Sequence, residues 1–209
     1  MGEENVKRYY HLTLLFIVLL VLLWSGIHPY DRFTWFLEVL PAIMGMSILL
    51  LTYRRFQFSN LVYFLIAVHM IILMVGGRYT YAEVPLFNWI RDAFELSRNH
   101  YDRIGHLAQG FIPAMVAREI LLRLSPLRQG KLLNLIIVCI CLAISASYEL
   151  IEFGVSVLTG TAAEAFLGTQ GDIWDTQMDM LMALIGSILA LLSLSSLHDK
   201  SITRQKYGR

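Results

Sequence analysis

Six long apolar stretches divide this chain of 209 residues, and they limit its possible folds more than any other feature. With a window of about 20 residues, these stretches lie near residues 10–27, 33–53, 59–77, 103–122, 132–157 and 175–197. A bilayer offers no partner for an unpaired backbone group, so each stretch is expected to be helical. We therefore predict an all-α, polytopic six-helix bundle that forms a single transmembrane domain over residues 1–209.

The composition agrees with a membrane protein. Hydrophobic residues make up 56% of the chain and charged residues 16%, whereas about one quarter of a soluble domain is charged. The net charge of +1 predicts no nucleic-acid partner. The first apolar stretch ends without the pattern of small residues at which signal peptides are cleaved, so we expect it to be retained as a span.

The distribution of basic residues predicts the orientation. If the N-terminus is inside, eleven Lys and Arg residues fall on the inner side and five on the outer side, with Arg118 inside a span. Cytoplasmic segments of membrane proteins carry the excess of Lys and Arg. We predict a multi-pass protein of the bacterial inner (plasma) membrane with both termini in the cytoplasm.

The connection between the third and fourth spans is long enough to have its own structure. Residues 85–97 place apolar side chains on one helical side, and Pro85 suits the first helical position. We predict an interfacial helix on the outer surface. Tyr79, Tyr81, Trp89 and Tyr101 fit an aromatic belt at the membrane–water interface.

Ionisable residues converge near the outer ends of the last three spans. They are Asp102 and His106 in the fourth span, Glu149 and Glu152 in the fifth, and Asp175 and Asp179 in the sixth. The two members of each pair are three or four residues apart, so they share one side of a helix. A charged group inside a bilayer costs about 2.5–3.5 kcal/mol on insertion scales, which makes such a group a functional candidate. We predict a periplasm-facing polar pocket.

Small residues follow the acidic pair of the sixth span on the same helical side. These are Ala183, Gly186 and Ala190. Small side chains allow helices in a membrane to approach closely. This stripe is therefore expected to face the bundle.

Three arrangements could offset the repulsion between these carboxylates. The first is a divalent metal, either Zn, Mn, Fe or Mg, held by Asp102, His106, Glu149, Glu152, Asp175 and Asp179. The second is a charge network with Arg78, Arg98 or Arg103 and no metal. The third is a set of protonated carboxylates that relays protons in a transporter.

Residues around the pocket are candidates for supporting the site or binding a ligand. They are Arg78, Glu83, His100, Arg103 and Asp172. If the pocket is catalytic, His106, Glu149 or Glu152 would serve as acid or base on a lipid or envelope amphiphile. The alternative is a non-enzymatic transporter or envelope factor, and the sequence alone leaves open whether the protein is an enzyme.

Other polar residues in the spans receive a simpler interpretation. Glu38 could join the pocket or pair with an arginine. Arg118 and Glu119 are expected to extend towards the inner membrane surface. His11 and His198 are expected to lie at the interface.

Several strings of residues resemble the YjdF-like inner-membrane family over nearly the whole chain. The matching stretches are residues 77–85, 99–106, 148–152 and 168–179. The resemblance implies a membrane location and brings no established activity. The chain also resembles, more distantly, VanZ-like membrane proteins, whose Asp-Lys-x-x-x-His pattern has one more intervening residue than the segment from Asp102 to His106.

Overall fold

The computed structural model describes residues 3–160 and 164–207, and these residues form helices and connections without any strand. The helices are α1 (Glu3–Gly26), α2 (Arg32–Thr52), α3 (Asn60–Arg78), α4 (Pro85–Ala93), α5 (Tyr101–Leu124), α6 (Lys131–Thr159), α7 (Glu164–Leu167) and α8 (Asp175–Tyr207). The predicted all-α class is confirmed.

Five of these helices are long and apolar enough to cross a membrane, namely α1, α2, α3, α6 and α8. Helix α5 has 24 residues but a lower hydropathy, because charged side chains lie at both of its ends. These are Asp102, Arg103, Arg118, Glu119 and Arg123.

The first and last long helices extend further than their apolar stretches. Helix α1 begins at Glu3 and α8 ends at Tyr207, whereas the sequence predicted spans of 10–27 and 175–197. At 1.5 Å per residue, α8 is about 50 Å long, which exceeds the hydrocarbon thickness of about 30 Å. Hydropathy detects only the part of a helix that lies in lipid, so the polar extensions were missed.

The close pair of α5 and α8 is the centre of the bundle. A Cβ atom added to Gly110 would lie 1.9 Å from the Ala183 carbonyl oxygen, and one added to Gly186 would lie 2.1 Å from the Leu107 carbonyl oxygen. Ala183 and Ala190 are completely buried. The predicted inward orientation of the small-residue stripe is confirmed, and Gly110 is its counterpart on α5.

Helices α1 and α2 pack against α3, which in turn contacts α5. Val18, Val39 and Met70 are among the buried residues of this second layer. Helix α6 completes the bundle by packing against α5 and α8.

Helix α4 is shorter than the predicted segment 85–97. Pro85 occupies its first turn as expected. Beyond Ala93 the chain turns at Glu95, whose φ is +52°, and the Leu96 N–H donates to the Arg91 carbonyl oxygen over 2.9 Å. This bond and the left-handed residue form a Schellman-type ending, which stops the helix.

The predicted aromatic belt is wrong for two of its four members. Tyr81 and Tyr101 are buried, and their rings contact each other with centroids 5.6 Å apart. The Tyr81 ring occupies the space next to Gly76 and Gly105, where an added Cβ would lie 2.2 Å and 2.8 Å from it. Trp89, by contrast, is exposed.

Candidate functional site

A buried polar cluster lies where the first turns of α5 and α8 meet the second half of α6. We call it the outer cluster. All six residues that the sequence suggested as ligands are buried here, namely Asp102, His106, Glu149, Glu152, Asp175 and Asp179. Contacts within the outer cluster form two overlapping groups, because Asp102 and Asp179 contact both an arginine and His106.

The first group is clamped by two arginines. Arg98 Nη1 donates to Asp175 Oδ1 over 2.5 Å, and Arg103 Nη2 donates to the same oxygen over 2.8 Å. Arg103 also donates to Asp179 and, over 2.9 Å, to Asp172. Asp175 is therefore neutralised by guanidinium groups rather than left available to another cation.

The second group is centred on His106. Its Nε2 lies 3.5 Å from Asp102 Oδ1 and 3.8 Å from Asp179 Oδ1, and the three ligand atoms lie within 4.8 Å of one another. Its Nδ1 lies 3.0 Å from Gln109 Oε1. A histidine whose Nδ1 is held by a neighbour presents Nε2 in a fixed direction, as metal-ligating histidines do.

Glu149 approaches the same imidazole from α6. Its Oε1 lies 3.8 Å from His106 Nδ1, yet this buried oxygen accepts no hydrogen bond from any part of the chain that the structure describes. A buried carboxylate oxygen without a donor is costly and calls for a functional explanation.

A small cavity of about 20 Å³ lies beside His106. Its lining includes Glu152 and, from α2, Glu38, whose Oε2 accepts a hydrogen bond of 3.0 Å from the Tyr148 hydroxyl. Such a volume holds about one water molecule. Glu38 thus joins the outer cluster through a tyrosine, which is the first of the two roles that the sequence left open.

Two loops cover the outer cluster. Asn99 N–H donates to Gln170 Oε1, and Gln170 Nε2 donates to the Asn99 carbonyl oxygen, both over 2.9 Å. Arg98 Nη2 also donates to the Gly168 carbonyl oxygen over 3.3 Å. This link between the loops before α5 and α8 was not predicted, because an amide side chain gives no sequence signal of its distant partner.

Asp172 lies at the edge of this cover. Its side chain accepts a hydrogen bond of 2.9 Å from the Trp174 N–H. This bond, together with the charges of Arg103 and Arg98, lowers the pKa of the Asp172 carboxyl. Asp172 is therefore anionic at neutral pH and is one of four carboxylates, with Asp102, Asp175 and Asp179, that pair with Arg98 and Arg103.

The remaining suggested residues lie away from the ligand atoms. Arg78 donates to the carbonyl oxygens of Trp24 and Ile27, so it closes the end of α1. Glu83 accepts a hydrogen bond of 3.0 Å from Asn88, and His100 is the residue before α5.

A second buried cluster lies at the opposite ends of α5 and α8, and we call it the inner cluster. Glu119 accepts hydrogen bonds from the Ser59 N–H and hydroxyl and from Arg123, and its Oε2 lies 3.0 Å from His198 Nε2. Arg118 pairs with Asp199 over 2.8 Å. Glu119 and His198 are completely buried.

Arg118 and Glu119 were expected to extend towards the inner membrane surface and His198 to lie at the interface, but all three are buried among partners within the protein. Arg123 lies four residues after Glu119 on α5, a spacing that favours their pairing, whereas nothing local indicates Ser59 as a partner. His11 is also buried, with its Nδ1 2.8 Å from the Tyr53 hydroxyl.

Comparison with known proteins places the chain in a family. Residues 10–200 match the family described as "Predicted membrane protein (DUF2238)". The chain belongs to this family. It is 47% identical over 185 residues to the "Inner membrane protein YjdF" of Escherichia coli (strain K12), and the match covers 88% of each protein. No solved structure matches the chain.

The family match confirms the resemblance seen in the sequence. The protein is an integral membrane protein, similar to a protein of the inner membrane. Neither description names an activity, so the function has to be argued from the buried polar residues.

Proposed function

We propose that the outer cluster is a divalent-cation site whose ligands are Asp102, His106 and Asp179. The observation that carries this proposal is the convergence of His106 Nε2 with two carboxylate oxygens from α5 and α8. The hydrogen bond between Gln109 and the other imidazole nitrogen supports it, because it orients Nε2 towards both carboxylates. Mixed oxygen and nitrogen donors suit zinc, manganese, iron or magnesium.

The charge balance of the outer cluster also supports a cation. Two guanidinium groups, from Arg98 and Arg103, are surrounded by a larger set of carboxylates. The carboxylates are those of Glu38, Asp102, Glu149, Glu152, Asp172, Asp175 and Asp179. Buried negative charge that exceeds the available positive charge is stabilised by a bound cation or by protons.

In the proposed membrane arrangement α5 is the fourth of six spans and both termini are cytoplasmic. The outer cluster then faces the periplasm, and α4 lies on the outer membrane surface. The exposed side chains of Leu86, Trp89 and Phe94 support this position for α4, because apolar and aromatic groups anchor helices at the interface. An amphiphile in the outer leaflet is then the nearest substrate.

The proposed cation and the residues around it would have different roles in a reaction. A divalent ion at this site would polarise a phosphoryl or acyl oxygen and lower the pKa of bound water. With His106 as a ligand, Glu149 is the group placed to accept a proton, since its Oε1 is otherwise without a donor. Glu152, which lines the small cavity, is the second candidate for this role.

Metal analysis of the purified protein tests the proposal. Wild-type protein loaded with zinc or manganese and then desalted should retain the metal, and Asp102→Asn and His106→Ala should lose it. Asp92→Asn is the matched control, because Asp92 is an exposed acid on α4. Metal-free wild-type protein after loading, or equal retention by all variants, would reject the cation site.

The second candidate function is a transporter or envelope factor in which the outer cluster fixes helix packing or relays protons. The arginine clamp on Asp175 favours it, because that carboxylate is already neutralised. The free energy of unfolding separates the two proposals. Asp102→Asn should strongly destabilise a purely structural network. A binding site, by contrast, often gains stability when one of its ligating side chains is replaced.

A further inference from the structure

A sizeable cavity, separate from the outer cluster, lies between α1, α2 and α3. Its volume is about 240 Å³, whereas a cavity of about 10–15 Å³ suffices for a water molecule. We call it the α1–α3 groove. Apolar side chains line nearly all of it, among them Leu15, Val18 and Met46.

The groove exists because α1 and α2 diverge. At their connected ends the Trp35 indole N–H donates to the Ser25 hydroxyl over 3.1 Å, and the Trp35 ring lies next to Gly26. Towards the other ends both helices keep their contacts with α3, while direct contact between α1 and α2 is slight. Arg8 and Tyr53 line the end of the groove away from the α1–α2 connection.

The length of the groove matches one leaflet. Its lining on α1 runs from Arg8 to Val18, which at 1.5 Å per residue is about 15 Å. This is half of the hydrocarbon thickness of about 30 Å. A chain that fills the groove would therefore extend from the membrane surface to the midplane.

Polar residues are confined to the surface end of the groove. His11 closes that end and is held by the Tyr53 hydroxyl, 2.8 Å from Nδ1, and by Asn60 Oδ1, 3.0 Å from Nε2. The exposed Arg8 lines the mouth, and the exposed Arg54 and Arg55 follow Tyr53 directly. Basic residues beside an apolar cleft between transmembrane helices are typical of sites for anionic lipid headgroups.

We propose that the α1–α3 groove binds one acyl chain of an anionic phospholipid, with the phosphate at Arg8. The apolar walls, the length of one leaflet and the basic mouth all match this ligand. The site is separate from the outer cluster and does not depend on the proposed cation function. It would hold a lipid of the leaflet on the side of the N-terminus.

Lipid retention by the full-length protein tests this proposal. Delipidated protein is incubated with phosphatidylglycerol or phosphatidylcholine in detergent, and the lipid retained after gel filtration is measured by mass spectrometry. Phosphatidylglycerol should be retained in preference to phosphatidylcholine. Arg8→Gln should reduce that retention about fivefold, which corresponds to the loss of one basic contact at a membrane surface.

Adjacent leucines give a matched pair for the groove itself. Leu50 lines the groove, whereas Leu51 does not and is 83% exposed. Leu50→Trp should fill the groove and abolish retention, and Leu51→Trp should retain lipid like wild type. Arg128→Gln is the control for charge alone and should retain lipid like wild type, because Arg128 is exposed in the connection between α5 and α6 and lies outside the lining.

Three results would overturn the proposal. One is equal retention of the two lipids, and another is equal loss in Leu50→Trp and Leu51→Trp. The third is a dimer in delipidated wild-type protein that Leu50→Trp abolishes, since the groove would then hold a second copy of the chain. Metal binding to the outer cluster should be the same in all of these variants, so failure here is distinct from failure of the cation proposal.

Discussion

The outer and inner clusters are built on the same two helices and differ in how their charges are satisfied. Both contain a buried histidine, arginines and acids from α5 and α8. In the inner cluster each carboxylate oxygen of Glu119 has at least two partners. In the outer cluster a buried oxygen of Glu149 accepts no hydrogen bond within the described ranges 3–160 and 164–207, and its nearest positive group is His106 at 3.8 Å.

The difference indicates different roles. A buried carboxylate surrounded by donors fixes a structure, because removal of its charge leaves those donors unpaired. A surplus of carboxylates with an unpaired oxygen is unfavourable unless another group binds. We therefore interpret the inner cluster as a structural contact that holds the helices together and the outer cluster as the functional site.

Removal of the Glu119 side chain should give the largest effect. Glu119→Ala is expected to cost about 3–5 kcal/mol of unfolding free energy, because Arg123, His198 and two donors of Ser59 lose their acceptor inside the protein. Thermal unfolding in detergent measures the loss. The exposed Asp92→Asn is the control, and a change in Glu119→Ala no larger than that control would remove the distinction between the clusters.

Disruption of the close packing between α5 and α8 should give the next largest loss of stability. Gly186→Ala is expected to cost about 1–3 kcal/mol, since its Cβ would meet the backbone of α5. Gly154→Ala in α6 is the matched control, because an added Cβ there has open space. It should be neutral or slightly stabilising. Equal unfolding temperatures for the two variants would contradict the close packing of α5 and α8.

The same Glu→Gln substitution should change the unfolding free energy in opposite directions in the two clusters. Glu149→Gln is expected to raise the unfolding free energy of metal-free protein by about 1 kcal/mol, because it removes one negative charge from a surplus of buried carboxylates. Glu119→Gln should lower it. Denaturation of both variants without added metal checks this contrast, and a loss of stability in Glu149→Gln would favour the structural-network alternative.

Replacement of Asp172 should have the smallest effect on stability, and this effect should depend on pH. Because the folded protein lowers the pKa of this carboxyl, its stabilising contribution is present above the ordinary aspartate range and disappears as the pH falls through the folded value. Asp172→Asn should therefore unfold at a slightly lower temperature than wild type at pH 7. The two should unfold together in acid, and a difference that grows in acid would contradict this assignment.

The sequence was sufficient for the helices and for the convergence of the acids. Apolar length specified α1, α2, α3, α6 and α8, and helical spacing placed each acidic pair on one side of its helix. The same logic identified the buried face of α8 from Ala183, Gly186 and Ala190. These features are local, so a single stretch of sequence carries them.

Features that depend on distant partners were missed. The inner cluster joins Ser59, Glu119 and His198 from three separate parts of the chain. Each residue taken alone looks like an ordinary polar group near a membrane surface. The role of Asp175 was likewise hidden, because spacing cannot tell whether two arginines or a metal will approach a carboxylate.

The unbroken course of α8 has a mechanical consequence. Asp179 and His198 lie on this one helix about 28 Å apart, and each makes a buried contact with α5. A rigid rod without a hinge transmits rotation along its whole length. Any tilt that pulls Asp179 away from Arg103 therefore strains the contact between His198 and Glu119. A displacement of α8 at the outer cluster is thus coupled to the inner cluster.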